Sequence, residues 1–136
     1  MEYLLDTNMV TALMEENEIF LQHLQNIPEN NNIMTSVLTY GEIYYGINIL
    51  PSGKKRNQLE QKANSAFSVL PILSINEKVA ICYFQIKSEL KKKGRPFNSE
   101  NDIWIAATAL SNSMCLVTAD AHFREVDNLR IANWII

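Results

Sequence analysis

Tyr3-Leu4-Leu5-Asp6-Thr7-Asn8 sets three apolar residues directly against three helix-capping residues. A short apolar run that stops at such residues reads as a buried strand delivering the chain into a helix. Val10, Leu13 and Met14 follow at helical spacing, and Phe20, Leu24 and Ile27 mark a second short helix. After a turn at Asn30-Asn31-Asn32, the pattern repeats. Ile33-Met34-Thr35 predicts a strand, and an apolar helix runs from Ser36 to about Leu50 on Leu38, Ile43, Tyr44, Ile47 and Leu50. Beyond Pro51-Ser52-Gly53, a helix carries Leu59, Ala63, Ala66 and Phe67, and Val69 to Leu73, with Pro71 inside it, reads as an edge strand. Ser74-Ile75-Asn76-Glu77 resembles a capping box opening a helix on Val79, Tyr83, Ile86 and Leu90. That helix closes on Lys91-Lys92-Lys93-Gly94, cations and glycine where a C-terminus favours them. An Ala-rich helix from Ile103 to Leu110, a strand at Cys115 to Thr118, a helical turn and a strand from Arg130 to Ile135 complete the chain. Strands alternating with helices predict an α/β fold: a three-layer α/β/α sandwich around a mostly parallel sheet of about five strands. At 136 residues, one domain spanning 1–136 is expected.

Composition narrows the function classes. With 47% apolar and 20% charged residues the chain has an ordinary globular balance, which excludes a disordered chain. No apolar run reaches the roughly 20 residues that span a bilayer. The N-terminus has no basic segment ahead of its apolar stretch, so no secretory signal is expected there. Cys82 and Cys115 form neither a redox pair nor a zinc pattern, and free thiols among apolar neighbours predict a cytoplasmic protein. A net charge of −3 offers nucleic acid no global attraction, so such a partner must be held by local patches or bound cations.

Aspartates are few, and the notable acids are placed near element ends. Only four aspartates occur, Asp6, Asp102, Asp120 and Asp127. Asp6 and Asp120 fall at or just beyond strand ends, Asp102 opens the Ala-rich helix, and Glu42 lies early in the apolar helix. In an open α/β sheet this edge is where ligands bind. Taken singly, each acid has a capping role: Asp6 and Asp120 are good N-caps, while Ser99/Asp102 and Thr39/Glu42 have capping-box spacing. Taken together, four carboxylates at one edge repel each other unless a cation neutralises them, and hard oxygen donors suit Mg²⁺ or Mn²⁺ rather than zinc.

Four ordered blocks then carry a resemblance that spans the chain. Leu4-Leu5-Asp6-Thr7-Asn8, Thr39-Tyr40-Gly41-Glu42-Ile43-Tyr44-Tyr45-Gly46, Asn101-Asp102-Ile103-Trp104-Ile105-Ala106-Ala107 and Leu116-Val117-Thr118-Ala119-Asp120-Ala121-His122-Phe123 resemble the signature blocks of PIN-domain ribonucleases. Within that family the chain is most similar to the VapC-type toxins of type II toxin–antitoxin pairs. The resemblance implies a metal-dependent endoribonuclease with Asp6, Glu42, Asp102 and Asp120 as catalytic metal ligands, and Thr7, Asn8 and Thr118 as supporting polar residues. It implies Mg²⁺ or Mn²⁺ as cofactor, products with 5′-phosphate and 3′-hydroxyl ends, a cognate antitoxin, and a homodimer. Arg95 and Lys93 are candidate RNA contacts, although cations at a helix C-terminus need no further purpose. The segment from Gly94 to Asp102 is a residue longer than the family pattern, which leaves Glu100 as a competitor for the site. Tyr44, Tyr45, Ile47, Ile49 and Leu50 make a helix apolar on more than one face, serving the core or an antitoxin groove. The rival readings are a structure-specific DNA nuclease, for which the chain is short, and a catalytically degenerate protein-binding module, which should have lost acids.

Overall fold

The computed structural model describes residues 1–136. Strand β1 (Glu2–Leu5) leads through α1 (Thr7–Met14) and α2 (Glu18–Gln25) to β2 (Asn32–Ser36), α3 (Val37–Asn48) and α4 (Lys54–Val69). The chain continues with β3 (Ile72–Leu73), α5 (Glu77–Lys92), α6 (Glu100–Ser111), β4 (Cys115–Val117), a 3-10 helix (Ala121–Glu125) and β5 (Ile131–Ala132). All pairings are parallel, in the order β3-β2-β1-β4-β5. The chain builds outward from β1 on one side, then restarts on the other side at β4. That reversal puts a topological switch point between β1 and β4, where open α/β sheets form their ligand crevice.

Alternation along the central strands makes the layers, because successive strand side chains point to opposite faces. Leu4 and Leu116 face a core built with Val79, Ile86 and Leu90 of α5 and Ile103, Ala106 and Ala107 of α6. Leu5 and Val117 face the opposite core, with Met9, Val10, Phe20 and Trp134. Leu4, Leu5, Leu116 and Val117 are fully enclosed, which is why these strands read as continuous apolar runs. No helix is long and apolar enough to cross a membrane.

Several element ends differ from the sequence expectation. The edge strand expected over 69–73 is only Ile72–Leu73, because α4 persists through Val69. Leu70, ahead of Pro71, is extended (φ −103°, ψ 112°), as the proline ring demands of its neighbour. Pro71 has no N–H to give the sheet, yet its carbonyl accepts from Thr35 N at 3.0 Å. The cap of α5 is Asn76, whose Oδ1 accepts from Val79 N at 3.0 Å; Ser74 is not the cap. The cap of α3 is Ser36, accepting from Thr39 N at 3.2 Å, so Thr39 lies inside the helix and no Thr39/Glu42 capping box forms. Asn32 belongs to β2 rather than to the turn before it. The last strand is Ile131–Ala132, after which Trp134 folds inward, its ring 5.1 Å from Tyr3 and 5.6 Å from Phe20.

Candidate active site

Asp6 leaves β1 and Asp120 follows β4, so the two acids flank the switch point; the Asp6 N–H donates to Val117 O at 3.1 Å. Glu42 reaches the same edge from α3, which begins where β2 ends, and Asp102 reaches it from the first turn of α6. Asp6, Glu42, Asp102 and Asp120 line one pocket of about 150 Å³, together with Thr7, Asn8, Ile105 and Phe123. Four acids spaced across 115 positions of sequence therefore share a single cavity (Asp6 to Asp120 is 114 steps). Larger space exists elsewhere, notably an open groove of about 600 Å³ between the end of α1 and α4, but no cluster of acids converges there.

Capping and clustering coexist at these residues. Asp6 caps α1, its Oδ1 accepting from Met9 N at 3.0 Å, and it is almost wholly buried. Burial pushes its carboxyl above the usual carboxylate range; the Thr118 hydroxyl and the Met9 N–H oppose the rise, and the charges of Asp120 and Glu42 add to it. Asp102 follows the Ser99 cap, whose Oγ accepts from Asp102 N at 3.4 Å, leaving its carboxylate unused by the cap. Burial, then the charges of Asp120, Glu42 and Asp6, push Asp102 up to about 6, with His122 opposing. Glu42 Oε1 accepts from the Thr7 hydroxyl at 3.2 Å. Asp120 Oδ1 accepts from His122 N at 2.9 Å and lies 2.7 Å from His122 Nδ1. Thr118 is buried and its Oγ1 accepts from Asp120 N at 3.0 Å; Asn8 sits exposed on the pocket wall.

The donor set contains carboxylate and hydroxyl oxygens and no thiolate. Hard oxygens are what Mg²⁺ and Mn²⁺ take, and burial, with the neighbouring acid charges adding to it, raises the carboxyls of Asp6 and Asp102. The acids ring the pocket without three of them closing on one point. A small, strongly hydrated ion that keeps several waters suits such an open ring.

Neighbouring expectations resolve individually. Glu100 does not share the pocket: it accepts from Tyr83 and pairs with Lys87 at 2.8 Å. Two positions along α6 rotate the side chain by about 200°, so Asp102 and Glu100 face opposite ways. Arg95 pairs with Glu125 at 2.9 Å, and Lys93 with Asp127 and the Glu125 carbonyl at 3.0 Å each. These exposed pairs tie the end of α5 to the 3-10 helix that follows Asp120. Phe97 in the intervening loop sets its edge against Phe123, 5.6 Å between centroids, and so braces a wall of the pocket. Ile105 and Phe123 line the pocket without any chemical signal in the sequence, and Thr39 lies behind it, its hydroxyl 3.2 Å from that of Thr7. The signal for Thr39 was its spacing of three before Glu42, which puts both on one helix face.

Comparison with known proteins gives a consistent picture. The family model described as PIN domain matches residues 3–129. The chain is 31% identical over 136 residues to "Ribonuclease VapC2" of Rickettsia felis, with 98% of each chain covered. Among solved structures it is similar to that of VapBC2 from Rickettsia felis bound to a DNA fragment from their promoter, with a TM-score of 0.88 at 29% identity, covering 98% of this chain and 99% of that one. It is equally similar, at a TM-score of 0.88 and 28% identity with both chains fully covered, to that of VapBC-1 from nontypeable Haemophilus influenzae.

Proposed function

The chain belongs to the PIN-domain family, and from that membership we propose that it is an endoribonuclease, the toxin of a toxin–antitoxin pair, that hydrolyses RNA with Mg²⁺ or Mn²⁺. One observation carries the reading: the fold gathers Asp6, Glu42, Asp102 and Asp120 into one pocket at the switch point of the sheet. A degenerate binding module has no reason to keep four mutually repelling carboxylates there.

In this reading the four acids hold the ion or ions, and each is oriented by the fold. Asp6 is set by its cap to Met9, Glu42 by Thr7, Asp120 by His122, and Asp102 by the start of α6. The chemistry such an ion supplies when bound is Lewis-acid activation of water for in-line attack on phosphorus and relief of charge on the departing 3′-oxygen. His122 Nδ1 lies 2.7 Å from Asp120 Oδ1, on a ring that is largely exposed. Asn8 completes the polar wall of the pocket, and Thr118, buried behind it, bonds to Asp6 and to the Asp120 N–H. Attack by water needs no 2′-hydroxyl, so 5′-phosphate and 3′-hydroxyl ends are expected.

The antitoxin is expected on α3 and its C-terminal cap, where Tyr45 and Ile49 stand 67% and 65% exposed. An acid-lined pocket also suits an arginine or lysine side chain from such a partner. Purified protein should cleave RNA with Mg²⁺ or Mn²⁺ and lose that activity in EDTA but not with a zinc-selective chelator. Undiminished cleavage in excess EDTA would overturn the proposal.

A further inference from the structure

Four hydroxyl-bearing or carboxylate groups between the ends of β1 and β2 form one hydrogen-bonded chain whose direction follows from counting protons. Thr39 N donates to Ser36 Oγ at 3.2 Å, and Ser36 Oγ donates to Thr39 Oγ1 at 3.4 Å. Thr39 Oγ1 lies 3.2 Å from Thr7 Oγ1, and Thr7 Oγ1 lies 3.2 Å from Glu42 Oε1. A hydroxyl carries a single proton, and that of Thr7 goes to Glu42 Oε1. Thr7 must therefore accept from Thr39; Thr39, having given its proton, must accept from Ser36. Every proton in the chain points toward Glu42. Ser36 and Thr39 are fully buried, so no water competes for these positions, and donors aligned in a low-dielectric setting strengthen one another.

We propose that Thr39 is a positioning residue: through Thr7 it fixes the Glu42 carboxylate, holding one oxygen so that the other is presented to the pocket. Thr39 touches neither the pocket nor its contents. It lies one turn before Glu42 on α3 and reaches across to the first residue of α1, so it also sets the spacing between the helices that follow β1 and β2. Thr7 alone would keep a rotatable hydroxyl with more than one place to put its proton. With Thr39 donating to it, the only remaining use of that proton is Glu42. This inference rests on the metal-site reading above.

The test is an Mn²⁺ titration of the full-length protein without RNA, with free Mn²⁺ read by electron paramagnetic resonance. Thr39→Val keeps the volume and removes the hydroxyl, and should weaken Mn²⁺ binding by about 10-fold or more, the usual loss when a partner behind a metal ligand is removed. Thr39→Ser restores the donor and should recover binding to within about 3-fold of wild type. A purely structural Thr39 would instead lower the melting temperature in EDTA and leave Mn²⁺ affinity unchanged. If Thr39→Val does not fold, Thr7→Val breaks the same chain at its last link in a half-buried position and must show the same loss. Wild-type affinity in the valine variant, or a serine variant as weak as valine, overturns the role of Thr39 alone. A wild-type chain that binds no Mn²⁺ overturns the metal-site reading and this role with it.

Discussion

Replacing Asp102 with asparagine should stabilise the metal-free protein while impairing its metal-bound form. The Asp102 carboxyl is raised from 3.8 to about 6, first by burial and then by Asp120, Glu42 and Asp6. At about 1.4 kcal/mol per unit this corresponds to at most ~3 kcal/mol, and solvent screening at a partly open pocket reduces it to roughly 1–2 kcal/mol. A group whose folded value lies above its unfolded one contributes stability that is full below about 3.8 and lost as pH rises through about 6. Wild-type protein therefore pays a penalty near neutrality that an uncharged amide never meets. The helix start is unaffected, because the Ser99 cap accepts from the backbone N–H of residue 102 and not from its side chain. For a chain of 136 residues the unfolding entropy is ~0.3 kcal/mol per degree, so Asp102→Asn should melt about 3–7 °C above wild type in EDTA at about pH 8. The gap should shrink toward zero near about pH 4, where wild-type Asp102 is itself protonated. Saturating Mn²⁺ should raise the wild-type melting point more than that of the variant, since ligand-linked stability tracks affinity for the folded state. Thermal melts across pH, with EDTA and with Mn²⁺, measure all three effects. A variant that is less stable than wild type at about pH 8 in EDTA, or a gap that does not change with pH, would refute charge crowding in this pocket.

Three further outcomes are expected. Asp120→Asn keeps an acceptor for the His122 N–H, because asparagine caps as well as aspartate; the fold should hold to within ~0.5 kcal/mol while RNA cleavage drops at least ~100-fold, and full activity would remove Asp120 from the metal site. Tyr45→Glu, at a side chain 67% exposed, should leave stability and cleavage near wild type but weaken antitoxin binding by ~10-fold or more in calorimetric titration, whereas unchanged affinity would move the interface off α3. Trp134→Ala should cost about 3–5 kcal/mol in denaturant unfolding, because the ring is buried against Tyr3 and Phe20; a loss below ~1 kcal/mol would show that the C-terminal segment does not seal this core.

Periodicity and end signals alone carried most of the architecture. Tyr3-Leu4-Leu5 against Asp6-Thr7-Asn8, and Ile33-Met34-Thr35 against Ser36, announce strands that hand over to helices, because burial and capping are both local properties of the chain. The acids at element ends were legible for the same reason, as was their suitability for a hard cation. Strand order was not local. Placing β4 beside β1, with β2 and β3 on the other side, depends on packing α5 and α6 against the face that Leu4 and Leu116 share. Only that order brings Asp120 next to Asp6 and turns four scattered carboxylates into one pocket. The extent of β5 was likewise decided by tertiary contacts, since Trp134 turns into the core against Tyr3 and Phe20. Glu100 stood in sequence as a minor competitor to Asp102, and helix rotation turns it away from the pocket once α6 is docked. The same holds for Thr39, whose spacing before Glu42 fits a capping box equally well. Its hydroxyl meets Thr7 because β1 and β2 lie side by side in register, which starts α1 and α3 at neighbouring points of one sheet edge.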